Sequence, residues 1–88
     1  MHNDINIKDL RKVWSVVVKD LLFPMVTIYE NPADYKGKFV ARIFDRNKPT
    51  RVITVKDTLE EVREILPDHL VKIMPSKDDH EAIKEIWI

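Results

Sequence analysis

The chain has 88 residues, 44% hydrophobic and 34% charged, and its 15 Lys and Arg balance its 15 Asp and Glu. That length limits it to one domain, and the composition belongs to a globular protein rather than a disordered tail. With no cysteine, disulfides and thiolate zinc sites are excluded, and no apolar run approaches the ~20 residues that cross a bilayer.

The N-terminus lacks the basic start, unbroken apolar centre and cleavage site of a signal peptide, so a cytoplasmic location is the default expectation. Residues 1–5 carry no pattern and read as frayed. From Ile7 the apolar positions Ile7, Leu10, Trp14, Val17 and Leu21 recur at helical spacing. The periodicity predicts a helix over 6–23, capped by Asn6 or Asp4. It must stop by Phe23, because a residue before proline is pushed out of the α region. Met25, at this seam, fits the start of a compact unit.

Beyond Pro24 the pattern changes period. "MVTIYE" is rich in β-branched and aromatic residues and reads as a strand. "NPADYKG" holds a turn opener, Asn31-Pro32, and the single glycine, Gly37. "KFVARIFD" alternates Phe39, Ala41 and Ile43 with Val40, Arg42 and Phe44, and "RVITVK" is a third strand. Short connections favour antiparallel neighbours, so the three should form a meander.

"DTLEEVREILP" carries the strongest helix signal. Thr58 and Glu61 have capping-box spacing, Asp57 is an alternative cap, and Leu59, Val62, Ile65 and Leu66 form a buried stripe before Pro67. "HLVKIM" reads as a short strand and "PSKDDH" as a loop. "EAIKEIWI" fits either a strand or a helix face; its β-branched residues and tryptophan favour a strand. The expected fold is α+β: an antiparallel sheet of four or five strands in a β-β-β-α-β unit over 25–88. The 58–66 helix packs on it, and the 6–23 helix is added in front.

The segments "TIYENPADYKGKFVARIFD", "KDTLEEVREILP" and "DDHEAIKEIWI" together resemble a group of short, uncharacterised bacterial and phage-associated proteins. The similarity covers about residues 25–88. It implies the order of turns, strands and acidic helix and a boundary at Met25, and it brings no activity, ligand or catalytic residue.

Chemistry-bearing motifs are sparse. One glycine eliminates both the dinucleotide fingerprint and the P-loop, which need several residues without Cβ. Ser15 has no nearby histidine; Ser76 is close to His80 but lacks the orienter and oxyanion hole of acyl transfer. His69, Asp78, Asp79, His80 and Glu81 form the one cluster with metal-ligand chemistry. Neighbours on an extended segment point opposite ways, and a solvated acidic loop explains the same residues. Glu60, Glu61 and Glu64 are explained by helix capping and solvation. The expectation is therefore no catalytic residue, no metal and no cofactor.

Two interaction surfaces stand out instead. Lys38, Arg42, Arg46, Lys48, Arg51 and Lys56 would ring a hairpin able to enter a major groove, with Tyr35, Phe39 and Phe44 available for stacking. Neutral net charge and the core-like spacing of Phe39 and Phe44 oppose this, and the acidic stretch from Asp57 onward could simply face the basic one. The stripe of Leu10, Trp14, Val17 and Leu21 suits a core face, or a seam with a protein partner or a second copy. A membrane-surface role for that helix, with Trp14 as anchor and Lys8, Arg11, Lys12 and Lys19 toward headgroups, is opposed by Asp9 and Asp20. The expected function is a non-catalytic interaction or regulatory module acting through protein contacts. The alternative is nucleic-acid binding through the 38–56 hairpin.

Overall fold

A computed structural model describes residues 4–75 and 82–88. The first element is β1 (Ile5–Asn6), followed by α1 (Leu10–Val17). Asp9, in extended conformation, caps α1 by accepting from the Arg11 amide at 3.1 Å. The helix is thus eight residues long rather than spanning 6–23. Asn6 lies in β1, and neither it nor Asp4 is the cap. Ile7 and Leu21 keep the orientation that the spacing implied, but do so from the segments flanking the helix. The valine-rich centre explains the shortness, since β-branched residues lose χ1 freedom in a helix.

Three strands follow as the expected meander: β2 (Pro24–Glu30), β3 (Phe39–Asp45) and β4 (Lys48–Lys56). Asn31 and Gly37 both adopt positive φ (53° and 77°) in the connection between β2 and β3. The Gly37 amide donates to the Asn31 side chain at 2.7 Å. A Cβ on Gly37 would meet nothing within 4 Å, so its conformation and not crowding is what favours glycine. Helix α2 (Leu59–Glu64) begins at Thr58, whose hydroxyl accepts from the Glu61 amide at 3.2 Å. Two short strands follow among the described residues, β5 (Lys72–Ile73) and β6 (Ile83–Trp87). The C-terminal segment is therefore a strand.

Among the described residues the sheet has six strands, in the order β1-β4-β3-β2-β6-β5. It is mixed, not antiparallel throughout, because β1 runs parallel to β4, with Ile5 opposite Val52 and Asn6 opposite Ile53. The extra strand escaped the sequence because two residues are too few to show alternation. Its pairing is reinforced by Ile7 N–H donating to the Ile53 carbonyl at 2.7 Å and the Thr54 hydroxyl donating to the Ile7 carbonyl at 2.6 Å.

Alternation along paired strands sorts the two faces. Val26, Ile28, Ala41 and Ile43 point to one side and join Leu10, Val62, Ile65, Leu66 and Leu70 in a single core. Both helices lie on that side. Met25, Thr27 and Tyr29, opposite Phe44, Arg42 and Val40, point to the other, where no helix packs among the described residues. The N-terminal helix is thus a layer of the core and not an addition to it: Leu10 has 0% of its surface exposed.

Replacing Leu10 with alanine should lower the unfolding free energy by about 3 kcal/mol, combining lost transfer energy with a residual cavity. Urea unfolding followed by circular dichroism measures this; an unchanged midpoint would mean that Leu10 does not seal the core.

Candidate interaction surfaces

The apolar stripe of α1 is the first surface to place. Leu10 is wholly enclosed, and Trp14, Val17 and Leu21 pack against the same core. The Arg11 amide donates to the Ile65 carbonyl at 3.0 Å, and the Trp14 ring meets His69 edge-on with centroids 6.0 Å apart. The four residues proposed as a partner seam are therefore together, but turned toward their own chain.

The basic hairpin is divided. Lys38 pairs with Asp57. Arg42 grips Asp4 bidentately, at 2.9 and 3.1 Å, and also donates to the Thr50 carbonyl at 2.8 Å. The Tyr35 hydroxyl donates to the same carboxylate at 3.1 Å. Those bonds raise Arg42 further above its ordinary range, while burial and then the Asp4 bond raise the Tyr35 hydroxyl. Arg42 is thus a structural clamp over the helix-free face. Lys56 is half-buried opposite Phe39, on the helix side of the sheet. Phe39 packs against the core, and Phe44 is half-buried on the opposite face. Arg46, Lys48 and Arg51 remain exposed, with no ion pair among the described residues.

A cavity of about 220 Å³ lies beside the Arg42 clamp, lined by Tyr29, Pro32, Asp34, Val40 and Arg42. On the other face sits a buried carboxylate, Glu85, opposite Ile28. It accepts from Arg63 Nε at 3.1 Å and from Arg63 Nη2, and from Trp87 Nε1 at 3.1 Å, with Lys72 Nζ 3.9 Å away. Burial pushes this carboxyl up, but the bonds from Arg63 and Trp87 and the charges of Arg63 and Lys72 outweigh it and hold it below its ordinary value. Glu85 thereby ties α2 to β6 as an ionised anchor. Among the described residues no group of three or more His, Cys, Asp or Glu is placed to hold a metal ion. Ser76, Asp78, Asp79, His80 and Glu81 lie outside the described residues.

Two exposed apolar clusters were not foreseen. One is at the β5 edge: the Val71 and Ile88 amides and carbonyls exchange hydrogen bonds at 2.7 and 2.9 Å, and Ile73 pairs with Ile86. Val71, Ile73, Met74 and Ile88 are all exposed there. Ile86 lies opposite Thr27, so this cluster continues onto the helix-free face. The alternation of "LVKIM" was a usable sign that one side of this strand is apolar; which side would be uncovered depends on where the helices settle. The second cluster is Leu22 and Phe23, which lie beyond the C-terminal end of α1 and just before Pro24. No protein-family model matches the chain, and no curated protein or solved structure matches it.

The Glu85 anchor gives a pH dependence of known sign. Its folded-state pKa lies below the ordinary 4.5, so the stability it contributes is present above that value and is lost as pH falls through the depressed folded one. Glu85→Gln should remove this component, so that the urea midpoint falls less than wild type's on acidification. Parallel pH profiles for the two proteins would contradict the assignment.

Proposed function

We propose that this chain is a non-catalytic interaction module, acting through protein contacts made at the β5 edge of its sheet. The observation that carries this reading is that Val71, Ile73, Met74 and Ile88 are all exposed about β5, the edge strand of the sheet among the described residues. Met74 has 72% of its surface exposed and Val71 63%. Apolar side chains exposed at a sheet edge favour association, because a partner removes apolar area from water and can supply backbone hydrogen bonds to the edge. The N-terminal helix, whose stripe is buried, is no longer the favoured contact. The likeness to small bacterial and phage-associated proteins belongs to this proposal as a statement about fold.

A second reading is nucleic-acid binding by the hairpin, now narrowed from six cations to Arg46, Lys48 and Arg51. Their exposure, and the lack of an ion pair among the described residues, favour it. The engagement of Lys38 and Arg42 elsewhere, and of Tyr35 and Phe39, weakens it.

Sedimentation equilibrium of the wild-type chain and of Ile73→Lys/Met74→Lys tests self-association at the edge. A photo-crosslinker placed at Met74, with a control at the exposed Glu60, tests a different protein partner. Concentration-dependent mass lost in the variant, or a discrete adduct specific to position 74, is the expected result. A monomer at all concentrations with no such adduct would overturn the proposal; salt-sensitive oligonucleotide binding lost in Arg46→Glu/Arg51→Glu would establish the second reading instead.

A further inference from the structure

The Leu22–Phe23 pair is held out in a way that a loose loop would not achieve. One carboxylate oxygen of Asp45 accepts from both backbone amides, at 3.1 Å from Leu22 and 2.8 Å from Phe23. The Arg46 amide donates to the Phe23 carbonyl at 2.9 Å. Pro24 then pairs with Asp45 as the first rung of the β2–β3 ladder. The segment between α1 and β2 is thereby fastened to the β3–β4 turn, and its side chains are left in water: Leu22 is 78% exposed and Phe23 50%. These are the only two apolar side chains of residues 19–23 outside the core contacts that Leu21 makes.

The same turn supplies charge. Arg46 occupies the left-handed region (φ 60°), where glycine or asparagine would sit with less strain. Lys48 and Arg51 follow it, both exposed. From Asp45 to Arg51 there are thus three cations and one carboxylate, and that carboxylate is engaged with two amides.

We propose that this tip, Leu22 and Phe23 with Arg46 and Lys48 of the adjoining turn, docks on an anionic membrane surface. The chemistry of the tip selects this partner over two others. Leu22, the more exposed of the pair, has no π-face on which a base could stack, so a single-stranded nucleic acid would use only half of the apolar surface. A stable protein interface needs about 800 Å² from each partner, far more than two side chains supply. Shallow insertion into a headgroup layer needs no such area. Each apolar side chain contributes by leaving water, and each cation is drawn to the negative leaflet. The backbone bonds to Asp45 and Arg46 keep the pair presented before binding, which limits the ordering entropy that docking must overcome. This site lies apart from the β5 edge and is independent of the protein-contact reading.

Co-sedimentation with vesicles tests it, comparing phosphatidylcholine alone with a mixture in which phosphatidylserine replaces about a third of it. The full chain should pellet with the anionic vesicles at low salt and not with the neutral ones. Leu22→Ser/Phe23→Ser should weaken that binding at least about tenfold, and Arg46→Gln/Lys48→Gln by a similar factor, both with unaltered thermal unfolding because these side chains are exposed. No pelleting with anionic vesicles would overturn the proposal. So would binding that survives Leu22→Ser/Phe23→Ser, or binding of the tip to an oligonucleotide or acidic peptide in place of the vesicles.

Discussion

Both helices lie on one side of the sheet, and the core on that side is closed by the N-terminal segment. Without Leu10, Val26 and Ile28 would lose the layer that α1 sets beside α2. Leu10 reaches its place because β1 aligns with β4 and Asp9 then turns the chain into the helix. A second tie reinforces the first from the other side of the sheet, where Asp4 is gripped by Arg42 and Tyr35. Removing one member of such a half-buried pair leaves the other without its counter-charge, which costs more than the bond itself contributes. The N-terminal segment is therefore clamped on both faces of the sheet.

That arrangement determines what is left outside. The α1 stripe is absorbed by the core, and several charges answer one another across the fold: Lys38 with Asp57, Arg42 with Asp4, Arg63 with Glu85. Of these pairs only Lys38 with Asp57 joins the basic middle to the acidic C-terminal part; Arg42 is matched from the N-terminus and Glu85 from within its own half. What remains unmatched is small and local. Apolar side chains gather at the β5 edge, and a cationic hairpin tip flanks Leu22 and Phe23.

Much of the fold was legible in the sequence where periodicity ran long enough to be read. The meander, the Thr58-capped helix and the final strand all carry patterns of five residues or more, and each forms where its pattern lies. Ile5–Asn6 gave no such sign, and β1 is specified by its partner on β4 instead of by its own residues. The helix was placed on the correct face but drawn too long, because Ile7 and Leu21 satisfy a helical spacing from flanking turns. The candidate surfaces were less legible still. Charge sequence alone does not reveal that Arg42 meets a carboxylate 38 residues earlier, and apolar spacing does not say whether a stripe meets its own chain or another.

The claim on which these inferences rest is that residues 4–23 are part of the folding unit. It is tested most directly by removing residues 1–24 and following urea unfolding by circular dichroism together with amide chemical-shift dispersion. The account predicts that the 25–88 fragment loses cooperative unfolding and dispersion, since it lacks β1, Leu10 and the counter-charge of Arg42. A fragment that unfolds cooperatively, with the dispersion of the full chain, would contradict it and return α1 to the status of an attachment free to meet a partner.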